Sequence, residues 1–330
     1  MFRWDYCYCL IVLFLSFAIY KFLYNDIDIV HLCEIHKGPL VFGTDACDSV
    51  MKGVVDVKST FLTKIIVVFG PKAVIRGNMN GEKIIMKTLG TKQEFESLEE
   101  DAKDIFSGDI STTSPANVKG VLLKALHLPL ENRVPKLYLC FKPKNVDTFL
   151  VKLFDKYDLT NVENLINIWT SIIVNPEPLV LQILRPPKWP VPRYYGSCGR
   201  LAVFEDCGER LTLFYDAPWS LRANLTVQVL SAAFEFTFAH PTFTFYLTDM
   251  TADNIVVDDE GRARFIDLEN VIILDKISDP AGELKLQSQN HTSDADECTS
   301  CFSYSIDDIC GHRISDHNIY GVCKVRNNFY

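Results

Sequence analysis

Three polar side chains in the last third of this 330-residue chain have types and a spacing that suit chemistry. Asp249 is followed five positions later by Asn254 and thirteen positions after that by Asp267, all within residues 245–275, FYLTDMTADNIVVDDEGRARFIDLENVIILD. Two carboxylates and an amide can hold a divalent metal on oxygen ligands. One carboxylate would then be left to orient a hydroxyl group, an arrangement that phosphoryl transfer requires.

Apolar runs on either side of these residues predict the elements that must bring them together. The pattern indicates a short strand ending at Leu247, a polar loop, and a β-hairpin with arms Ile255–Val257 and Ala263–Ile266. Residues 258–261, Asp-Asp-Glu-Gly, are typical of the turn between two such arms. The alternative is an Asp-capped loop followed by a surface hairpin without chemistry, and the upstream sequence decides between the two.

A lysine at the end of an apolar strand is the second feature that suits chemistry. The sequence predicts three short strands, Ile65–Phe69, Ala73–Arg76 and Ile84–Lys87, with a turn of Gly and Asn at residues 77–81 before the third. Lys87 therefore ends a strand. A solvated strand-end lysine is the alternative to one that is directed at a ligand.

The loop between the first two of these strands contains Gly70, followed by Pro71 and Lys72. A loop with Pro and without repeated Gly cannot bring successive backbone N–H groups close to phosphate groups. We therefore expect Gly70 to take part in a looser or differently shaped contact with a nucleotide than a Gly-rich loop would make.

Residues 88–174 are predicted to be a helical insertion. Helical spacing of apolar residues covers Lys92–Phe106, Val118–Leu126, Val146–Tyr157 and Val162–Val174.

Three further elements follow the insertion. Residues 175–184 predict a short helix with Pro in its first turn, and this helix carries Glu177. Leu201–Glu205 predicts a strand that leads into Asp206-Cys207-Gly208. Leu221–Ala239 has apolar residues at helical spacing over a length that suits the central helix of a second lobe.

Composition and the N-terminus limit the partners and the compartment. The net charge is −9 and no basic run occurs, so nucleic acid is not expected as a partner. Cys7–Tyr24 is apolar apart from Ser16 and Lys21, and no small-residue cleavage site follows it. The sequence favours an uncleaved signal-anchor in the membrane of the endoplasmic reticulum or Golgi, with a lumenal domain. A cleaved signal peptide, which would give a secreted protein, is the alternative.

Eleven cysteines and two N-glycosylation sequons, at Asn224 and Asn290, agree with the secretory route. Nine cysteines lie beyond the apolar segment, so at least one thiol is free or pairs between chains. Cys198 and Cys207 flank one predicted strand and are candidates for a disulfide. The remaining disulfide candidates are in the tail: Cys298, Cys301, Cys310 and Cys323. A zinc site of Cys310, His312, His317 and Cys323 is the alternative.

The order and spacing of these features resemble those of protein kinases. In chain order the matching features are the strand lysine Lys87, a helix carrying Glu177, the segment Trp189–Gly196, a strand and hinge at residues 201–208, a long helix, and then Asp249, Asn254 and Asp267. The GSCGRL segment, the tail CFSYSIDDICGHRISDHNIYGVC and the N-terminal membrane signal make the chain similar to the divergent protein kinase domain family. This secretory-pathway group includes the deleted-in-autism proteins.

The resemblance implies an α+β, protein-kinase-like bilobal fold over roughly residues 30–325. Residues 1–24 would be the signal-anchor or signal peptide and 25–60 a lumenal cysteine-containing stem. Residues 61–208 would form a small β-rich lobe with the helical insertion at 88–174. A mainly helical large lobe with a cysteine-rich tail would occupy 209–330, and it is expected to be incomplete because only sixty-three residues follow Asp267.

The same resemblance assigns a nucleotide side to the site. Lys87 would contact the phosphates of ATP, and Glu177 would hold Lys87 in place. Glu99 and Glu163, on the inserted helices, are the alternatives to Glu177. Gly70 lies in the loop that would cover the phosphates.

It also assigns a catalytic side. Asp249 would accept the proton of the substrate hydroxyl, while Asn254 and Asp267 would hold Mg²⁺ or Mn²⁺. Two departures weaken this assignment. Leu247-Thr248 stands where the family pattern has His-Arg, and Asp267-Leu268-Glu269 replaces Asp-Phe-Gly, which removes a flexible Gly and adds a carboxylate beside the metal site.

Two functions follow as expectations from these residues. The first is a phosphotransferase that uses ATP to modify protein or glycan substrates in the secretory pathway. The second is a pseudokinase, a disulfide-stabilised binding or signalling module that keeps the acidic residues for structure. A purely structural cysteine-rich ectodomain is a third alternative.

Overall fold

A computed structural model describes the greater part of the chain. The described residues are 27, 29–33, 38, 40–57, 60, 63–64, 72–106, 113–127, 137–140, 146–153, 158–277 and 304–326. Several of the sequence predictions lie outside them. These are the N-terminal apolar segment, the strand Ile65–Phe69 with Gly70, the cysteines Cys298 and Cys301, and the sequon at Asn290. Within the described ranges, no helix has the length and apolar character needed to cross a membrane.

The elements are numbered in chain order. The described strands are β1 (Val55–Val57), β2 (Val74–Met79), β3 (Glu82–Thr88), β4 (Leu137–Leu139), β5 (Tyr194–Cys198), β6 (Leu201–Glu205), β7 (Glu209–Arg210), β8 (Phe243–Leu247), β9 (Ile255–Val257), β10 (Ala263–Phe265) and β11 (Val271–Asp275). The described helices are α1 (Ile29–Cys33), α2 (Cys47–Met51), α3 (Lys92–Ile105), α4 (Pro115–His127), α5 (Val146–Leu153), α6 (Val162–Val174), α7 (Glu177–Ile183), α8 (Trp219–Phe238), α9 (Ile306–Cys310) and α10 (His317–Arg326), with 3-10 turns at Leu211–Phe214 and Ala252–Asn254.

A five-stranded antiparallel sheet in the order β1-β2-β3-β6-β5 forms the small lobe. The turn between β2 and β3, Asn80-Gly81, has both residues at positive φ, 55° and 89°, which a tight hairpin turn favours. In β3, Ile84 and Met86 are fully buried in the core on one face of the sheet. Because side chains alternate along a strand, Lys87 is directed to the other face, where a cleft lies.

The large lobe combines the long helix α8 with two small sheets. One sheet has the order β4-β11-β8, and the other, β10-β9-β7, contains the hairpin that the sequence predicted. β8 is buried along its whole length and pairs antiparallel with β11. A shared apolar core that includes Phe236, Phe245 and Phe265 joins α8, β8 and β10. The chain thus has an α+β, protein-kinase-like architecture with a β-rich small lobe.

Strand β4 lies inside the region that the sequence predicted as a helical insertion. Helices α3 to α6 do occur there, but β4 pairs in parallel with β11 of the large lobe. A strand of three residues is too short to show a period that sequence patterns can reveal. The segment between β3 and Glu177 therefore also completes a sheet of the large lobe.

Two disulfides lie in the described part of the chain, and each joins one predicted candidate, Cys198 or Cys310, to a cysteine that was not predicted as its partner. Cys47 is bonded to Cys198, and Cys140 to Cys310. The predicted pairing of Cys198 with Cys207 is wrong, because the five residues of β6 separate these positions by roughly 16 Å, more than a disulfide can bridge. Cys207 is instead a buried free thiol.

The tail cysteines and histidines likewise do not form the alternative zinc site. Cys310 is used by the disulfide to Cys140, and Cys323, a disulfide candidate in the sequence, is a free thiol. His312 Nδ1 lies 2.8 Å from the carbonyl oxygen of Asp308, and His317 Nε2 lies 2.9 Å from that of Leu247. Both rings are therefore engaged by the backbone.

Candidate functional site

A cleft of about 510 Å³ lies between the small-lobe sheet and the β9–β10 hairpin. It contains four of the residues singled out from the sequence: Lys87, Glu177, Asn254 and Asp267. The remaining lining residues are Thr60, Thr63, Val74, Arg76, Ile85, Pro192, Phe204, Glu205, Asp206, Cys207, Gly208, Arg210, Asp253, Val256 and Ile266.

Lys87 forms ion pairs with two carboxylates in this cleft. Its Nζ lies 3.0 Å from Glu177 Oε2 and also donates to Asp267 Oδ1. The Lys87 side chain is only 14% exposed. Burial alone would lower the pKa of Lys87, but the charges of Glu177 and Asp267 outweigh it and raise that pKa well above its ordinary value. Lys87 is therefore cationic at physiological pH and is not a solvated strand-end lysine.

Glu177 is placed by a break between two helices. α6 ends at Val174. Asn175, which lies just before the N-cap residue Pro176, then acts as a capping side chain for α7 by accepting the backbone N–H of Glu177 on Oδ1 at 3.0 Å. The other Glu177 oxygen, Oε1, accepts the N–H of Leu268 at 3.2 Å. Burial raises the pKa of the Glu177 carboxyl against the opposing charge of Lys87. Glu177 thus holds both Lys87 and the residue that follows Asp267.

The two alternatives to Glu177 lie elsewhere. Glu99 Oε1 forms an ion pair with Arg200 Nη2 at 2.6 Å. Glu163 lies in the first turn of α6 and is exposed. Of the three candidate glutamates, Glu177 is the one that contacts Lys87.

Asp267 follows β10 with a left-handed backbone, φ 60°. Such a backbone is uncommon for a residue other than Gly, and where it occurs it often marks a functional position. The N–H of Ile266 donates to the carbonyl oxygen of Asn254 at 2.9 Å, which brings the two predicted metal ligands to neighbouring positions. The hairpin therefore delivers Asp267 to Lys87 and Asn254 together.

Asn254 and Asp249 are joined through the backbone. The amide nitrogen Nδ2 of Asn254 donates to the carbonyl oxygen of Asp249 at 3.0 Å, so the amide oxygen is the atom that could bind a metal. Asp249 itself is exposed and lines a small recess of about 10 Å³, whose walls also include Asn254 and Asp267. The recess and the cleft therefore share Asn254 and Asp267.

The donor set suits Mg²⁺ or Mn²⁺ only in combination with further oxygen ligands. Over the described ranges, no group of three or more His, Cys, Asp or Glu side chains is arranged to hold a metal. Asn254 and Asp267 would supply an amide oxygen and a carboxylate, and Mg²⁺ in proteins commonly takes one or two carboxylates together with phosphate oxygens. The residues present therefore fit a metal that arrives with a nucleotide.

Glu269 has a different role from the one expected from the sequence, in which it added a carboxylate beside the metal site. Its Oε2 accepts Asn175 Nδ2 at 2.7 Å and forms an ion pair with Lys72 Nζ at 3.2 Å. Glu269 therefore ties the segment after Asp267 to the start of β2 and to the cap of α7. Sequence reasoning did not find Asn175, although Asn before a helix that starts with Pro is a capping signal.

Gly208 lies where the hinge packs closely against the β9–β10 hairpin. Its φ is 102°, and a Cβ on it would lie 2.1 Å from the carbonyl oxygen of Val257. Only Gly fits a position with both constraints. Cys207, beside it, lines the cleft with a side chain that is 5% exposed. Burial raises the pKa of the Cys207 thiol to about 12.

Two sequence candidates remain to be placed. Asn224 is exposed on α8, where a glycan could be attached without displacing the core. Gly70 lies outside the described residues, so its contact with a nucleotide stays a prediction.

Comparison with known proteins shows which sequences this chain is similar to. The sequence profile of the protein-kinase domain of FAM69 matches residues 168–328. Divergent protein kinase domain 2A of Xenopus tropicalis is 26% identical over 342 residues, which cover 92% of this chain and 76% of that protein. The Homo sapiens protein of that name is 26% identical, with 91% and 75% covered. Divergent protein kinase domain 2B of Homo sapiens is 34% identical over 107 residues, which cover 32% of this chain and 24% of that protein.

Solved structures are more distant. Vaccinia related kinase 3 has a TM-score of 0.33 at 12% identity, with 83% of this chain and 63% of that chain covered. A complex of Rv3197 with erythromycin from Mycobacterium tuberculosis has a TM-score of 0.30 at 14% identity, with 61% and 43% covered. At these scores the two structures add nothing to the assignment, which depends on the sequence relatives and on the architecture described above. The matched kinase-domain profile and the sequence relatives support a divergent kinase-domain family for this chain.

Proposed function

We propose that this protein binds ATP with Mg²⁺ or Mn²⁺ in the cleft and transfers the γ-phosphate to a hydroxyl group of a protein or glycan in the secretory pathway. The observation that carries the proposal is the ion-paired group of Lys87, Glu177 and Asp267, which lies in one cleft with Asn254 and next to Asp249.

The charges in this group favour a bound cation. One lysine and two carboxylates leave one net negative charge in a largely buried place, and such an imbalance costs free energy unless another charge offsets it. A divalent cation held by Asp267 and Asn254 would supply that charge and would neutralise phosphate oxygens. Lys87 would then donate to those oxygens while Glu177 keeps it in position.

The walls of the cleft suit the base of a nucleotide. Val74 and Ile85 line it from the small-lobe sheet, and Val256 and Ile266 line it from the hairpin. A planar, mostly apolar ring can lie between two such surfaces, with the polar groups of the hinge at its edge. The cleft thus has apolar residues of both lobes at one end, which suit the base of ATP, and charged residues at the other end, which suit its phosphates.

Asp249 is the residue that would interact with the hydroxyl group of the substrate. Its carboxylate is exposed, and it lies where the recess joins the residues that would bind the metal. A hydroxyl group placed there would donate its proton to Asp249 as its oxygen attacks the γ-phosphorus, while the bond from that phosphorus to the β-phosphate oxygen breaks and ADP leaves. The two disulfides and the exposed sequon at Asn224 support a substrate in the lumen.

Metal-dependent stabilisation by ATP tests the binding step in the full-length, glycosylated protein. ATP with Mn²⁺ is expected to raise the unfolding temperature, whereas ATP alone or Mn²⁺ alone is not. Lys87→Ala and Asp267→Ala are expected to lose the effect. Lys83→Ala is the matched control, since Lys83 is on the same strand but exposed and paired with Asp259. Absence of metal-dependent stabilisation in the unmodified protein would overturn the proposal.

A second candidate function, a pseudokinase that binds a partner without transfer, is favoured by the contacts of Glu269. Lys72 and Asn175 fix the segment in which the family pattern has a flexible Gly. Asp249→Asn separates the two functions, because it removes the proton acceptor and keeps the shape. Loss of labelled-phosphate transfer with intact secretion and intact ATP binding supports transfer, whereas an unaltered cellular activity in Asp249→Asn supports the binding module.

A further inference from the structure

The end of strand β8 is held by two side chains of the C-terminal helix α10. Asn318 Oδ1 accepts the N–H of Leu247 at 3.0 Å, and His317 Nε2 lies 2.9 Å from the carbonyl oxygen of Leu247. A carbonyl oxygen only accepts, so the His317 ring donates here. Both side chains are fully buried. Leu247 lies two residues before Asp249.

These contacts complete an otherwise open edge of a sheet. β8 is at the end of the order β4-β11-β8, with β11 on one side. Asn318 Nδ2 also donates to the carbonyl oxygen of Phe245 at 2.9 Å. The backbone N–H and C=O groups of Phe245 and Leu247 lie on the same side of β8, the side that faces away from β11. Side chains of α10 form hydrogen bonds with groups on this side. Side chains of α10 thus form hydrogen bonds with this edge of the sheet in the place of a further strand.

The helix that supplies these side chains is itself fixed. Asn318 Nδ2 donates to Thr237 Oγ1 at 3.0 Å, which links α10 to α8. The N–H of Ser315 donates to the Tyr246 hydroxyl at 2.8 Å, and Val322 is buried in the main core. The disulfide between Cys140 and Cys310 attaches the preceding helix α9 to the end of β4. Both the oxygen and the nitrogen of the Asn318 amide have partners, and buried polar groups that are satisfied in this way hold one geometry well.

The residues that lead to Asp249 are therefore held from two sides. Thr248 donates its N–H to the carbonyl oxygen of Asn270 at 3.2 Å, which is the side of β11. His317 and Asn318 hold Leu247 on the opposite side. Thr248 Oγ1 donates to the same carbonyl oxygen of Asn270 at 3.1 Å, so Thr248 is held from the side of β11 and Leu247 from the side of the tail.

We propose that His317 and Asn318 are positioning residues for Asp249: they set the backbone from which its carboxylate reaches the substrate. This inference rests on the proposed function for its catalytic meaning, although the positioning itself can be measured without catalysis. It predicts that the side chains of His317 and Asn318, at the start of α10, take part in transfer and not only in the fold.

Amide hydrogen exchange and transfer kinetics on the full-length, disulfide-bonded protein test it. His317→Ala and Asn318→Ala are expected to speed exchange at Leu247 to Asp249 by about tenfold or more, the effect of losing one hydrogen bond to a buried group. The rate of labelled-phosphate transfer is expected to fall by a similar factor, with the KM for ATP within about twofold of its original value, because Lys87 and Asp267 are attached elsewhere. His317→Gln, whose amide nitrogen can replace Nε2, is expected to restore part of both.

Val322→Ala is the matched control, because it removes packing of the same helix and leaves both hydrogen bonds in place. It is expected to lower the unfolding temperature without a selective change at residues 247–249. If the two polar variants change exchange and transfer no more than Val322→Ala does, the positioning role is wrong. If the unmodified protein transfers no phosphate and binds no ATP, the proposed function fails, and the exchange comparison still decides whether α10 positions Asp249.

Discussion

The pKa values of single residues in the cleft depend on burial as much as on neighbouring charges. Lys87 keeps its charge because two carboxylates outweigh its burial. At Cys207 the charge of Arg264 does not outweigh burial and the negative charge of Glu205, and the pKa of its thiol is raised to about 12. The same cleft therefore holds a lysine that stays protonated and a cysteine that stays a thiol, two groups with ordinary pKa values less than two units apart.

The stability of the protein is expected to fall in alkaline solution partly because of Cys207. A thiol in the unfolded chain ionises near its ordinary pKa of 9.0, whereas in the folded chain it ionises near 12, so the unfolded state loses its proton first. The free energy of unfolding should therefore decrease between pH 9 and pH 12, by up to about 1.4 kcal/mol per pH unit for this group. Cys207→Ala should make that decrease shallower.

Urea unfolding at a series of pH values measures the slope, and Cys323→Ala is the control because Cys323 is a free thiol that is partly exposed. Tyr246, with a pKa raised to about 12 by burial, contributes to the slope in both variants. An identical slope with and without Cys207 would contradict the buried-thiol account. Peptide mapping that found Cys207 bonded to Cys198 would contradict it as well.

The elements around the site depend on positions where one residue type fits. At Gly208 a positive φ and a close approach to Val257 occur together. Gly81 also has a positive φ, 89°, but a Cβ there would meet no atom within 4 Å. A comparison of substitutions at the two glycines therefore separates the cost of a positive φ, which both positions share, from the cost of steric overlap, which applies at Gly208.

We expect Gly208→Ala to cost more than about 3 kcal/mol of folding free energy, whereas Gly81→Ala should cost about 1–2 kcal/mol, the usual price of a left-handed L-residue. Chemical denaturation of both variants measures the difference. If Gly208→Ala were no more costly than Gly81→Ala, the hinge could not lie as close to the hairpin as described.

Asn175 connects three elements and should matter for the site beyond its effect on stability. Asn175→Ala removes the cap of α7 and the contacts with Leu89 and Glu269, at a cost of about 1–3 kcal/mol. Asn161→Ala removes the cap of α6, far from the cleft, and should cost about 1 kcal/mol.

Both cap variants should unfold at lower temperature, as followed by circular dichroism. Stabilisation by ATP with Mn²⁺ should be lost or strongly reduced only in Asn175→Ala, because Glu177 is then no longer held against Lys87. Equal stabilisation by ATP in the two variants would show that the break between α6 and α7 does not place Glu177.

Local pattern predicted those parts of the molecule whose causes are local. The hairpin of β9 and β10 followed from two apolar arms and an acidic turn, and the place of Lys87 in a strand followed from the apolar run before it. β4 and the partners of Cys198 and Cys310 were not predictable in this way, because their contacts join residues more than a hundred positions apart. His317 was considered as a metal ligand, since the sequence does not reveal a backbone carbonyl as its partner.

At the scale of the whole molecule, one long-range disulfide joins two parts of the small lobe and the other joins the large lobe to the tail. Cys47–Cys198 spans 151 residues and Cys140–Cys310 spans 170, and each closes a loop that would otherwise cost much chain entropy to order. The second disulfide joins the region before Glu177 to the tail that holds the strand leading to Asp249. Residues from distant parts of the chain thus meet around one cleft.

Binding of a metal–nucleotide complex in that cleft is the central claim. Equilibrium dialysis of the full-length, disulfide-bonded protein against labelled ATP, with and without Mn²⁺, tests it most directly. We predict binding that requires Mn²⁺, that is lost in Asp267→Asn and that persists in Asp259→Asn on the exposed hairpin turn. ATP binding that ignores Mn²⁺ and survives Asp267→Asn, or no binding by the unmodified protein, would contradict the account.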